Sequence, residues 1–226
     1  MHLVRALAGA LLRLLLLAPF ALGGGGCDSG PHHPVASVRS VALAPGPHPI
    51  AVVSVKDLGE IRIELLPEAA PKTVAQFEAL AGEGYYDGTT FHRVIPGFMI
   101  QGGCPNTKNA DPRDDGHGGG DHPLEDEFSD VTHRRGIVAM ANRSSRNSGG
   151  TQFFIVLADS PHLDGKYSVF GRVIEGMQVA DAIAKLEIDK FGRYGPPDRP
   201  YPVDARVASI RIEGAAPVAA APASGG

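Results

Sequence analysis

The sequence predicts a mostly-β fold for the central part of the chain. Glycine (29) and proline (19) are plentiful among 226 residues, tryptophan is absent and aromatics make up 6%. That composition suits short strands joined by many turns better than a helical bundle. Apolar and polar residues also alternate with period two in several short runs, while helical spacing shows in two places. Hydrophobic content of 43% and charged content of 20% are those of a soluble globular protein, and the length suits one domain with extensions. A net charge of −4 leaves no basic footprint for nucleic acid.

Order is expected to begin near Ile50. Val53 and Val55 alternate with Ser54 and Lys56, Asp57-Leu58-Gly59 supplies a turn, and Ile61, Ile63 and Leu65 alternate with Glu60, Arg62 and Glu64. This pattern predicts a hairpin of half-buried strands. Pro67 stops the second strand and Pro71 opens a helix as a favoured first-turn residue. Val74, Phe77, Leu80 and Ala81 share one face of that helix, and Gly82 and Gly84 end it. Further strands are expected over 91–95, 98–101, 136–141, 151–157, 167–174 and 205–213, the last with Ala208, Ile210 and Ile212 on one face. A second helix is expected over 177–186, with Ala180, Ile183 and Ala184 on one stripe and Val179 beside it. Residues 189–204 read as a Pro-rich loop.

The ends differ in character. Residues 1–26 carry Arg5 and Arg13, no acid, and an apolar run from Leu14 to Leu22. The run is too short for a bilayer of about 20 helical residues, so the segment reads as a secretory signal rather than an anchor helix. Removing it takes the basic count from 21 to 19 against 25 acids, a net charge of −6. Cys27 after three glycines resembles the acylated cysteine of a bacterial lipoprotein signal, although Gly24 stands where leucine is usual. The expectation is an exported protein, either periplasmic or tethered to a membrane through Cys27. Residues 27–49 read as a Pro-rich linker and 215–226 as a disordered tail, leaving 50–214 as the domain.

The long loop from Cys104 to Pro123 carries Asp111, Asp114, Asp115, His117, Asp121 and His122. A metal site is conceivable there, but the spacing matches no calcium-loop pattern and a solvated acidic loop is the expectation. His32-His33 in the linker is read as solvated. Cys104 is read as a small loop residue, and a Cys27–Cys104 disulfide is not expected with one partner at the flexible N-terminus.

Residues 91–103, FHRVIPGFMIQGG, carry the chemistry. One fixed cation, Arg93, lies within a few residues of Phe98 and Met99, and the amide Gln101 follows. A guanidinium beside an apolar pocket suits a neutral ligand with a ring and a carbonyl. Met140-Ala141-Asn142 and Gln152-Phe153-Phe154-Ile155 look built to complete that pocket. Taken singly, Phe98, Met99, Phe154 and Leu163 could be core, and Arg93 could sit in a structural ion pair.

FHRVIPGFMIQGG, then MAN, GGTQFFI and HLDGKYSVFGRV, in that order, resemble the cyclophilin family of peptidyl-prolyl cis/trans isomerases. The resemblance implies a closed eight-stranded antiparallel β-barrel capped by two α-helices. It implies an enzyme that accelerates rotation about X–Pro bonds in unfolded or flexible polypeptides, a reaction that needs no cofactor or metal. The lack of heptads or a large apolar stripe in the sequence leads to the expectation of a monomer. Arg93 would be the catalytic residue. Phe98, Met99, Phe154 and Leu163 would hold the proline ring, and Gln101, Ala141, Asn142 and Gln152 the neighbouring peptide. His162 stands where well-known relatives carry Trp, and Tyr167 where they carry His beside the ring slot. The implication is retained isomerase activity with weakened cyclosporin binding. The loop also lacks the Gly-Pro-Gly-Tyr-like stretch that relatives carry near Gly119–His122. A non-catalytic proline-binding module is the alternative, distinguished by whether Arg93 matters to rate. His92 is expected to face away from the pocket by strand alternation.

Overall fold

The computed structural model describes residues 38–43 and 47–214. The expected signal segment, Cys27, His32-His33 and the tail from 215 lie outside them. Among the described residues no helix is long and apolar enough to cross a membrane.

Eight strands form one sheet: β1 (Ile50–Val55), β2 (Gly59–Leu65), β3 (Arg93–Ile95), β4 (Met99–Gly102), β5 (Ile137–Met140), β6 (Phe153–Val156), β7 (Val169–Glu175) and a long C-terminal strand, Val207–Glu213. Two helices, α1 (Pro71–Gly82) and α2 (Met177–Ile183), accompany them. A two-stranded ladder, β8 (Ile188–Asp189) with β9 (Arg199–Pro200), stands where a plain Pro-rich loop was expected, and the C-terminal strand is therefore β10. Every pairing is antiparallel and the sheet order is β10-β1-β2-β7-β5-β6-β4-β3. The sheet is strongly curled, and its ladders run in open order from β10 to β3 as a half-barrel where a closed barrel was expected.

Strand alternation separates two apolar clusters. Ile61, Ile63, Val94, Ile100, Phe153 and Ile155 point to the concave interior, where α1 and α2 also bury Phe77, Leu80, Val179 and Ile183. Met99, Phe154, Val156 and Leu163 belong to a second cluster on the outer face. β10 departs from the expected face. The register pairs Ser54 with Ser209 and then Val55 with Val207, so a bulge leaves Ala208 unpaired and exposed while Val207 takes the inward place.

Helix α1 starts where Pro71 predicted, but Ala70 precedes it and supplies no side-chain cap. The amides are satisfied from a distance: the Glu127 carboxylate accepts from Lys72 N (3.0 Å), Thr73 N (2.8 Å) and Thr73 Oγ1 (2.8 Å). Lys72 in turn pairs with Glu125. Glu127→Ala is expected to cost about 1–2 kcal/mol in a urea titration, since orphan helix amides lose a charged acceptor.

The described part of the predicted linker lies against the domain. The Arg39 backbone bonds Phe128 and Asp130, each at 3.0 Å, and its guanidinium donates to Ala69 O at 2.8 Å. His48 lies 2.8 Å from the Glu64 carboxylate.

Candidate active site

The site is built on the outer face by register. Arg93 pairs with Gln101, Gln101 with Phe154, and Phe154 with Ala139, so one row crosses β3, β4, β6 and β5. Neighbouring strands lie about 4.8 Å apart, which sets Arg93 and Phe154 two strand spacings from each other. The next row on the same face brings Met99 beside Val156. The turn Pro96-Gly97, with Gly97 at φ 74°, reverses the chain between β3 and β4 and leaves Phe98 at its end.

Arg93, Phe98, Met99, Gln101, Ala141, Asn142, Phe154 and Tyr167 line one open cleft of about 480 Å³. Met99 and Phe154 are buried and form its floor. The Tyr167 ring meets Phe154 edge-on at 5.2 Å and 88°. Arg93 is exposed, and among the described residues its side chain has no ion pair or hydrogen bond. The other three expected residues are placed around this cleft. Leu163 is buried in the same cluster as Met99 and Phe154, and the exposed His162 ring packs against Phe98 at 5.5 Å. Gln152 lines an adjoining cavity of about 90 Å³ together with Gln101, Ala141 and Asn142.

The polar groups divide into clamps and free ends. Gln101 Nε2 donates to Gln152 Oε1 (2.9 Å), and Gln152 Nε2 donates to Gly116 O (2.8 Å) and Gly118 O (2.9 Å). Gln152 thus fastens the 104–123 loop to the sheet. The carbonyl oxygen of Gln101 is left without a partner among the described residues. The Asn142 side chain is engaged, donating to Lys166 O and accepting from Ser144 N, each at 3.0 Å. Its backbone N–H and C=O remain open to a ligand.

His92, Asp115, His117, Pro196 and Pro197 also line the cleft, and two expectations are corrected here. His92 does not face away: β3 begins at Arg93, so strand alternation does not govern the residue before it. The 104–123 loop is not simply solvated. Asp115 is 3% exposed and binds Arg199 Nε at 2.7 Å, which ties the loop to β9. Burial pushes the Asp115 carboxyl up, against the pull of Arg199. Cys104 is a free, buried thiol that accepts from Gly116 N. Among the described residues no three His, Cys, Asp or Glu side chains are grouped to hold a metal ion.

Burial holds the His92 imidazole at about 4, and neither ring nitrogen has a hydrogen-bond partner among the described residues. An unfolded histidine titrates near 6.5, so between that pH and about 4 the unfolded chain binds a proton that the folded one refuses. Stability is therefore expected to fall as pH drops through this window, by on the order of 3 kcal/mol at its lower end. Urea midpoints at neutral and acid pH check this, with a shallower decline in His92→Gln.

A cation unpaired among the described residues, beside an apolar slot and open amide groups, suits a neutral segment of polypeptide. Comparison with known proteins sharpens this. The family model of cyclophilin type peptidyl-prolyl cis-trans isomerases matches residues 50–211. The chain is 46% identical over 137 residues to peptidyl-prolyl cis-trans isomerase B of Bacillus subtilis, covering 60% of this chain and 90% of that protein. It is 42% identical over 163 residues to a probable peptidyl-prolyl cis-trans isomerase of Brucella suis, covering 70% of this chain and 83% of that protein. A crystal structure of a Cryptosporidium parvum cyclophilin type isomerase, determined in the presence of the dipeptide Ala-Pro, superposes with TM-score 0.63 at 30% identity. It covers 74% of this chain and 99% of that one. The chain belongs to the cyclophilin family, and it is a peptidyl-prolyl cis/trans isomerase acting on proline-containing polypeptides.

Proposed function

We propose that catalysis takes place in the 480 Å³ cleft, with Arg93 stabilising the twisted X–Pro amide while the proline ring rests on Phe98, Met99, Phe154 and Leu163. Rotation is slow because the amide has partial double-bond character, with a barrier of about 20 kcal/mol. In the twisted state the proline nitrogen regains its lone pair. A donor aimed at that nitrogen binds the twisted state better than either planar isomer, and this difference is the catalysis. Arginine suits the task because it is always charged and presents a rigid fork of donors. The observation that carries this reading is that Arg93 has no partner among the described residues and stands beside the apolar floor. Burying a ring there contributes roughly 1.5–3 kcal/mol, enough to bind a client without retaining it. Gln101, Gln152 and the Ala141-Asn142 backbone would hold the peptide on either side, with His162 and Tyr167 closing the slot. A proline-peptide assay on wild type and Arg93→Ala tests this, and equal rates would remove Arg93 from the mechanism.

On this reading the barrel closes through residues 88–91 against 205–207. The support is an isolated antiparallel bridge between Thr90 and Arg206, with Phe91 N donating to Ala205 O at 2.9 Å and Val207 N to Thr89 O at 2.8 Å. The enzyme would act as a monomer on exported chains in the periplasm, free or held at a membrane by Cys27. This rests on the charge and apolar pattern of residues 1–27. Mass spectrometry of the mature N-terminus is expected to show cleavage before Cys27, and an intact Met1 would overturn export by this route.

A further inference from the structure

We propose that the catalytic groove continues into a second cavity, of about 960 Å³, which takes an aromatic side chain and an adjacent acidic residue of the same client polypeptide. This rests on the cleft at Arg93 being where the proline sits. The two cavities adjoin, since His117, Pro196 and Pro197 line both. The far wall is apolar and held in place. The Tyr194 and Tyr201 rings stack at 4.2 Å and 12°, and Pro112 lines the same cavity. Asp189 pins the segment, accepting from Tyr194 N at 2.7 Å, while its carbonyl accepts from Asp198 N at 2.8 Å. Val94 N, next to Arg93, donates to Asp198 O at 2.8 Å, so the wall is joined to the strand that carries the cation. The groove therefore need not be assembled when the client arrives.

Stacked tyrosines and proline rings offer flat apolar faces, and Tyr194 is 50% exposed and Tyr201 38%. With Phe191 also exposed beside them, this is an apolar patch that no other described residue covers, of the kind that marks a binding surface. Its charge selects the occupant. Arg113 is bound by Asp111 at 2.7 Å, and Arg199 by Asp115 and Asp204 at 2.7 and 3.0 Å. Arg193 alone lacks a partner among the described residues, leaving one free cation on the rim for a carboxylate. The volume far exceeds one ring, so it admits a ring with its backbone and a neighbour.

The test is a panel of proline peptides in which a Phe-Glu pair is moved through about four positions on either side of the proline, a reach set by the extended chain. Exchange NMR on the full chain gives kcat/KM without a coupling protease. At one position the pair is expected to raise kcat/KM about tenfold over an all-alanine flank, the scale of one stacked ring plus one ion pair. Arg193→Ala/Tyr194→Ala is expected to erase that gain while leaving the rate on a short Ala-Pro peptide within about twofold of wild type. A flat wild-type profile, or a gain unchanged in the variant, overturns the proposal. So does a concentration-dependent increase in mass that the variant abolishes, because a second copy of the chain would then be the occupant. Equal rates of wild type and Arg93→Ala on the short peptide would instead overturn the underlying placement of the active cleft.

Discussion

Arg93→Ala is expected to lower kcat/KM about 10²–10³-fold, the usual cost of removing one preorganised donor to a developing charge. The argument rests on what the residue does not do in the resting protein. Its guanidinium has no ion pair or hydrogen bond among the described residues and it is exposed, so removing it leaves no buried partner behind. Stability is accordingly expected to change by less than about 0.5 kcal/mol, and loss of rate cannot then be traced to loss of fold. Arg93→Lys keeps the charge but not the planar fork, and is expected to fall between the two. The affinity for a proline peptide, measured separately, is expected to change less than the rate, because the apolar floor remains. If affinity and kcat/KM fell together with kcat unchanged, the cation would be a binding group only.

Phe77→Ala is expected to have the largest effect on stability, about 3–5 kcal/mol by urea denaturation. For a domain of this size that lowers the melting temperature by roughly 10 °C. Phe77 is fully buried and is the residue by which α1 enters the curled sheet. Its ring meets Tyr86 and Phe170 at 5.1 Å and Phe153 edge-on at 5.5 Å. Removing it leaves a void and breaks three aromatic contacts at once. Phe153 adjoins Phe154, so some loss of activity at temperatures near the new midpoint is expected, while the low-temperature rate on a short peptide holds.

The parts of the molecule governed by local rules were legible from the residues. The β1–β2 hairpin follows from strict alternation around Asp57-Leu58-Gly59, and α1 begins and ends at the Pro71 and Gly82 signals. The row of Arg93, Gln101 and Phe154 follows from parity once the strands are placed. Contacts between distant loops carry no such period. Asp115 and Arg199 are 84 residues apart, and Glu127 reaches back 54 residues to Thr73. Nothing in the acidic loop or in the Asp126-Glu127 dipeptide marks those partners. His92 was misjudged because alternation was carried one residue beyond the strand, and Ala208 because a bulge shifts parity within β10. Both errors have the same cause: period two fails wherever pairing stops or slips.

That same parity has an evolutionary consequence. On β4 and β6, the residues proposed to meet the client and those that fill the concave interior occupy opposite sides of one backbone, with Ile100 and Ile155 inward and Met99, Gln101 and Phe154 outward. Selection can therefore retune what the enzyme recognises by volume-conserving exchanges at every second letter of two short stretches, while the intervening letters keep the concave core unchanged. Met99 and Phe154 are themselves buried, so a library at the outward letters should stay largely soluble where it keeps apolar residues of similar volume at those two positions and varies Gln101 freely.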